Sequence, residues 1–363
     1  MAATSSRMLR PRRTPRDRML PMNHSMPYWP ARRFFTLSAS SRAPGALPCR
    51  IYWIVIIAMA EFLVTGGAGF IGSNLVDALL AAGHDVRVLD NLSMGKRSNL
   101  PLDNPRLRFI EGDVADPDVV AQAVAGCSAV AHLAAVASVQ ASVDDPVATH
   151  QSNFIGTLNV CEAMRRHGVR RVVYASSAAI YGNNGEGVAI DEATAKAPLT
   201  PYAADKLAGE HYLDFYRRQH ALEPAIFRFF NIFGPRQDPS SPYSGVISIF
   251  TQRAQQGLPI SVFGDGEQTR DFFYVGDLIE LLLQGLLGEF VEPPVNVGWN
   301  QAVSLNQLLA EIGALCGGLP QVTHLPARAG DIRHSRADNT RLQAHYDMPQ
   351  QTPLREGLRQ LLG

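Results

Sequence analysis

Tyr202 and Lys206 stand four residues apart in PYAADKL, so a helix through them carries both on one face, one turn apart. An ammonium at that spacing lowers the pKa of a neighbouring phenol and makes Tyr202 a usable proton acceptor near neutrality. Ser177, closing the run RVVYASS, adds a hydroxyl that can share the proton on a substrate oxygen with Tyr202. A tyrosine and a lysine so spaced also occur on ordinary surface helices, and the pair needs a context to carry chemistry. That context lies upstream, in EFLVTGGAGFIGSN (residues 61–74), where strand-like residues run through Gly66, Gly69 and Gly72 into an apolar-periodic helix.

The glycines of that stretch have separate tasks: a tight turn, close backbone approach to a pyrophosphate, and close packing of helix on strand. Phosphate then sits at the helix N-terminus, where unpaired N–H groups and the positive dipole end face it. Asp90 ends the next strand-like run, DVRVL, and a carboxylate there takes the two hydroxyls of an adenosine ribose. It also repels a 2′-phosphate, which favours NAD over the phosphorylated form.

These residues need elements to hold them. From Glu61 onward strand-like and helix-like segments alternate: a helix from Phe70 to Ala82 ending at Gly83, strands at Leu107–Glu111 and Ala129–Leu133, a helix from Pro117, a long helix from Pro146 to His167 ending at Gly168, and strands at Arg171–Ser176 and Ala225–Phe230. That order implies an α/β protein with a doubly wound, Rossmann-type parallel sheet. Ligands on such sheets bind beyond the carboxyl ends of the strands, where Asp113, the turn His132–Ala135 and Ser176–Ser177 fall. Asp113 reads equally as a helix N-cap or as an adenine contact, and His132 by itself reads as a packed core histidine. After Asn231 the chain becomes irregular (GPRQDP), as a lid does; then follow the helix VISIFTQRAQQG, a hairpin-like PISVFGDGEQTRDFFYV, a buried-face helix Val275–Gly288 and a short strand Val295–Gly298. Residues 59–230 thus read as a dinucleotide-binding domain and 231–363 as a smaller α/β substrate-binding domain, some segments of which return to the first domain's sheet.

The chain has 363 residues, 46% hydrophobic and formally neutral, so nothing in its global charge suggests a nucleic-acid partner. Residues 1–50 carry ten Arg, no Lys and one acid, Asp17, and the first 58 residues show no sustained hydrophobic period. They read as disordered or as the product of an upstream start, with Met59 the natural first residue; an Arg-rich, acid-poor transit or tethering segment is the other reading. The apolar run Ile51–Ala60 is too short to span a bilayer. Cys49, Cys127, Cys161 and Cys316 form no C-x-x-C pair and the histidines no metal-binding spacing, so reduced thiols, a cytoplasmic location, no metal and no membrane contact are expected.

TGGAGFIG, GDV at 112–114, HLAA at 132–135, YASSAAIYG at 174–182, PYAADK at 201–206 and RFFNIFGPRQ at 228–237 together resemble the extended short-chain dehydrogenase/reductase superfamily, and within it the nucleotide-sugar 4-epimerases. The resemblance implies a tightly held NAD contacted by Gly66, Gly69, Phe70, Ile71, Gly72, Asp90, Asn91, Asp113, Val114, Leu133, Ala134, Ala135, Tyr202 and Lys206. It implies Ser177, Tyr202 and Lys206 as the catalytic set, and Ser177, Asn231, Gln237, Arg270, Arg328 and Ser335 as contacts to a UDP-sugar. Taken alone, Arg270 and Arg328 could equally be surface ion pairs with Asp271 and Asp331. Relatives commonly pair through two helices, here Pro146–His167 and Tyr202–His220, so a homodimer is expected.

Three departures narrow the class. Ser177 is followed by Ala178 and Ala179, where 4,6-dehydratases carry the Asp-Glu pair that performs elimination. Ala137 replaces a lysine found in some glucose-type epimerases. RAGDIRHS at 328–335 resembles the segment whose last position gates the sugar pocket in relatives; here it is Ser335, and a small residue there would leave room for a 2-acetamido group. The expected activity is C4 epimerisation of a UDP-hexose or UDP-N-acetylhexosamine through a transient 4-keto sugar. The alternatives are a UDP-glucuronate decarboxylase or 4-epimerase, a 4-keto reductase, and a non-catalytic NAD-sensing module.

Overall fold

In the first half of the chain, strands β1 (Glu61–Thr65), β2 (Asp85–Asp90), β3 (Leu107–Glu111), β4 (Ala129–His132), β5 (Arg171–Ser177) and β6 (Glu223–Phe229) alternate with helices α1 (Phe70–Ala81), α2 (Pro117–Val124), α3 (Val139–Asp144), α4 (Pro146–His150), α5 (Gly156–His167) and α6 (Pro201–His220). The second half adds β7 (Asn231–Phe233), α7 (Val246–Gln255), β8 (Ile260–Phe263), β9 (Thr269–Arg270), β10 (Phe272–Tyr274), α8 (Val275–Leu287), β11 (Val295–Val297), β12 (Val303–Ser304), α9 (Leu305–Cys316) and β13 (Val322–Leu325). These elements come from a computed structural model that describes residues 60–184, 187–239, 245–327 and 332–362.

The main sheet has seven strands in the order β11-β6-β5-β4-β1-β2-β3, every neighbouring pair parallel. Strand order reverses direction between β1 and β4, which opens a crevice at their carboxyl ends. Successive residues of each strand serve opposite layers, as the period of two requires. Phe62, Val64, Val173 and Phe227 pack with α1 and α8 on one face, whereas Leu63, Val172, Tyr174 and Ile226 pack with α2, α5 and α6 on the other. This doubly covered sheet is the expected α/β architecture.

Several local expectations change. The long helix from Pro146 is interrupted by a π-helical turn, Gln151–Ile155, before α5 continues to a left-handed Gly168. Asp113 is not the cap of α2: Asp116 is, accepting the N–H groups of Asp118 and Val119, while Asp113 accepts from Ala115 N–H and from Asn91 Nδ2. The hairpin-like stretch 259–275 is not a hairpin. β8 pairs in parallel with β13, β9 antiparallel with β12 and β10 in parallel with β7, so each arm finds its partner elsewhere in the chain. Positive φ at Gly264 and Gly266 supplies the turn between them that the sequence signalled, and the side chain of Asn306 ties that turn to α9 through Asp265 O.

Candidate active site

The crevice between the ends of β1 and β4 is part of a cleft of about 740 Å³. Its floor is the glycine turn. Gly66 lies at φ +68°, and a β-carbon there would sit 2.7 Å from Ala134 N, at the end of β4. Gly72 meets the turn from the helix side, where an added β-carbon would lie 2.2 Å from Gly66 O. The first turn of α1 has no side-chain cap, and its Phe70, Ile71 and Gly72 line the cleft. Donors left free at a helix N-terminus form an anion site. On the flank, Asp90 accepts Ala68 N–H at 2.9 Å and Leu92 N–H at 2.8 Å, which fixes its carboxylate at the cleft wall. The cradle and the acidic wall fit a dinucleotide.

The opposite wall is built by β5 and α6. Thr200 and Pro201 start α6, with the Thr200 hydroxyl accepting Ala203 N–H, so Tyr202 and Lys206 fall on its first two turns. Ser177 ends β5 and faces the same cleft. Burial pushes the Tyr202 phenol above its usual pKa, and the neighbouring Ser177 hydroxyl pulls against that rise. The Lys206 ammonium lies 5.9 Å from the centre of the Tyr202 ring and 5.0 Å from that of Tyr174. Burial brings Lys206 down to about 8, opposed by the carboxylate of Asp205. Desolvation sets the direction of the shift at both groups and outweighs the depression of the phenol that the spacing of Lys206 suggests.

His132, behind this wall, is 2% exposed and held between Thr65 Oγ1 at 2.8 Å and Thr157 Oγ1 at 3.0 Å. It is a packed core histidine, as its lone occurrence suggests. Burial, and secondarily the Lys206 charge, lower it from 6.5 to about 3. Because the folded pKa is depressed, the unfolded chain takes up a proton that the native state refuses. This stabilisation is present above pH 6.5 and is lost as pH falls toward 3, at about 1.4 kcal/mol per pH unit. Asp271, raised by burial from 3.8 to about 6, works in the opposite sense between those values. The difference between wild type and His132→Asn in denaturant unfolding at pH 4 to 7 isolates the histidine: the variant loses the acid sensitivity, and parallel profiles would contradict the assignment.

Gly66, Gly69, Phe70, Ile71, Gly72, Asp90, Asn91, Asp113, Val114, Leu133, Ala134, Ala135, Ser177, Tyr202, Lys206, Asn231 and Gln237 all line the one cleft. Arg270 and Ser335 are not among the lining residues; they neighbour one another through Ser335 N–H to Thr269 O at 3.2 Å and the bridge between Thr269 and His334. Asp271 is no partner of the kind expected for Arg270, since its carboxylate accepts the backbone N–H groups of Trp299, Asn300 and Ala337. Arg328 and Asp331 fall outside the described residues. Arg236 to Pro239, in the irregular stretch that reads as a lid, line the cleft; sequence reasoning missed the contacts that anchor this strap. Pro235 O accepts from Asn74 Nδ2, Arg236 pairs with Asp77 at 2.6 Å and Asp238 with Lys96 at 3.0 Å. Complementary charges far apart in sequence carry no period that could have signalled it.

The sequence profile of the NAD dependent epimerase/dehydratase family matches residues 62–298. A putative UDP-glucose 4-epimerase of Methanocaldococcus jannaschii is 36% identical over 302 residues, 83% of this chain and 96% of the relative. Among solved structures, a UDP-N-acetylglucosamine 4-epimerase from Methanobrevibacter ruminantium in complex with UDP-N-acetylmuramic acid superposes with a TM-score of 0.80 at 35% identity, covering 84% of this chain and 97% of that one. A Thermus thermophilus UDP-glucose 4-epimerase in complex with NAD gives 0.76 at 38% identity over 83% and 97%. With the Gly66–Gly72 turn, Asp90, Ser177, Tyr202 and Lys206 on one cleft, and with these relatives over most of its length, the chain belongs to the NAD-dependent epimerase/dehydratase family of nucleotide-sugar enzymes.

Proposed function

We propose that the protein interconverts the C4 epimers of a UDP-hexose or UDP-N-acetylhexosamine, with NAD regenerated in every turnover. The observation that carries this reading is the placement of Ser177, Tyr202 and Lys206 on the wall facing the dinucleotide cradle. The nicotinamide, when bound, supplies the acceptor for the C4 hydride and its later donor. The chain does the rest. Tyr202 takes the proton of the C4 hydroxyl and gives it back, Ser177 hydrogen-bonds the same oxygen, and Lys206 holds the nicotinamide ribose while its charge favours the phenolate. Gly66 to Gly72 hold the pyrophosphate, and Asp90 holds the adenosine ribose. Asn231 and Gln237, which line the cleft, grip the UDP so that the 4-keto sugar can turn over between the two hydride transfers; Arg270 and Arg328 on the diphosphate, and Ser335 leaving space for an N-acetyl group, rest on the resemblance of their motifs alone.

Ala178 and Ala179 follow Ser177, so no second acid–base pair stands beside the catalytic hydroxyl, and this weighs against dehydration. The test is a panel of UDP-glucose, UDP-N-acetylglucosamine and their uronic acids, incubated without added nicotinamide nucleotide, with products resolved by NMR. Interconversion of two stable sugars is the expected result. Loss of carbon dioxide from the uronates alone would replace the reading with a decarboxylase, and an inert panel would remove it. Two copies would pair across α5 and α6, whose neighbourhood leaves Val147, Tyr212 and Phe215 exposed. A single-protomer mass in sedimentation would refute that pairing.

A further inference from the structure

Behind the catalytic face lies a buried ionic network that no step of the proposed reaction uses. Tyr202, Lys206 and Glu210 recur every four residues on α6, along the face turned toward the sheet. Glu210, 6% exposed, binds Arg228 of β6, 5% exposed, through two bonds: Arg228 Nε to Oε1 at 2.9 Å and Nη2 to Oε2 at 2.6 Å. Glu210 Oε1 also accepts from Ser176 Oγ at 2.5 Å, and Ser176 directly precedes Ser177. At this level the Tyr174 ring fills the gap between β5 and α6, since a β-carbon on Gly209 would be 2.3 Å from its hydroxyl.

The network continues away from the catalytic face. Arg228 Nη1 donates to the Tyr181 hydroxyl at 2.8 Å, which donates to Asn296 Oδ1 at 2.7 Å; Asn296 in turn donates its N–H to Glu192 and its side-chain amide to Ile190 O. Ile190 is bridged by backbone bonds to Arg336 and Asp338, just beyond Ser335. One chain of buried polar groups therefore joins the strand bearing Ser177, the helix bearing Tyr202 and Lys206, and the segment bearing Ser335.

We propose that Glu210, Arg228 and Ser176 are positioning residues that set the register of α6 on β5, and with it the contact between Tyr202 and Ser177. A buried pair is weak support for stability, because two well-packed apolar side chains of similar volume do as well or better. Register is different: apolar packing tolerates sliding that a bidentate pair with a third hydrogen bond does not. The argument rests on Ser177 and Tyr202 acting together, as in the reading above.

Stability and activity should therefore separate. The variant Glu210→Met with Arg228→Met is expected to keep or raise the folding midpoint, bind NAD and hold KM within about threefold, while kcat per NAD-loaded site falls by about tenfold or more. Ser176→Ala, which leaves the ion pair intact, is expected to lower kcat by a smaller factor with an unchanged midpoint, and it decides the matter if the double variant does not fold. A purely structural pair predicts the reverse: a lower midpoint and wild-type kcat. That outcome overturns the proposal, as does wild-type kcat in both variants at full stability. A second readout needs no substrate. Titration of the Tyr202 phenol in near-ultraviolet difference spectra against Tyr202→Phe is expected to move to higher pH in the double variant, as the lowering influence of the neighbouring Ser177 hydroxyl is lost. The wild type is assayed first on the sugar panel. An inert wild type discards the epimerase reading, and the phenol titration still decides the inference.

Discussion

Tyr202→Phe is expected to lower kcat by about three orders of magnitude or more while leaving the fold and the bound NAD in place. A positioned acid–base group is worth about 10² to 10⁴ in rate. The cleft offers no ready substitute: Ser177 is not a base near neutrality, and Lys206 at about 8 lies beneath the ring, 5.9 Å from its centre. The fold should tolerate the change because phenylalanine keeps the ring that packs against Lys206. The lost hydroxyl costs at most its interaction with the neighbouring Ser177, about 1 kcal/mol. NAD content measured after purification, alongside turnover of whichever sugar the panel identifies, separates a chemical defect from loss of cofactor. Epimerisation at more than about a tenth of the wild-type rate would sink the assignment of Tyr202. Burial holds the phenol high, and the pH dependence of kcat should be read on the NAD-bound protein.

The parts of this site that were legible beforehand are those encoded by local spacing. A strand, three glycines and an apolar-periodic helix state the cradle outright, and Tyr202 with Lys206 states a helix face. The doubly wound parallel sheet then follows from the alternation of elements. What the sequence did not carry is pairing between distant segments. PISVFGDGEQTRDFFYV has the turn glycines and β-formers of a hairpin, yet the partners of its arms come from β7, β12 and β13, and tertiary pairing overrides the local signal. Asp113 and Asp116 are both plausible caps three residues apart, and Pro117 at the first helical position marks Asp116 as the cap. The strap at Pro235–Asp238 and the Glu210–Arg228 pair depend on charges brought together only by the fold. The buried arginine in IFRFF was the one available sign, since a charged residue inside an apolar strand has to find a counter-charge.

The glycine cradle supports the second large effect. Gly72→Ala is a single methyl group in the first turn of α1, at a position where helical φ and ψ suit alanine better than glycine. Propensity alone would make the change stabilising by about 1 kcal/mol. Geometry reverses that sign. The added carbon would stand 2.2 Å from Gly66 O and 2.7 Å from Gly67 Cα, both backbone atoms that no rotamer change can move aside. Relief requires α1 to shift away from β1, and Gly66 cannot yield in the other direction because it is already against Ala134. Overpacking of this kind costs about 1–3 kcal/mol of stability. The larger loss falls on the cofactor, because the N–H groups at the start of α1 are useful only while they converge on one phosphate position. A shift of about 1 Å is enough to forfeit about two orders of magnitude in function. The expected result is a folded protein with a modestly lower midpoint that purifies without NAD and needs added NAD to turn over. If Gly72→Ala retains stoichiometric NAD through purification, the close approach of α1 to the turn is not what holds the dinucleotide, and the role given to this glycine is wrong.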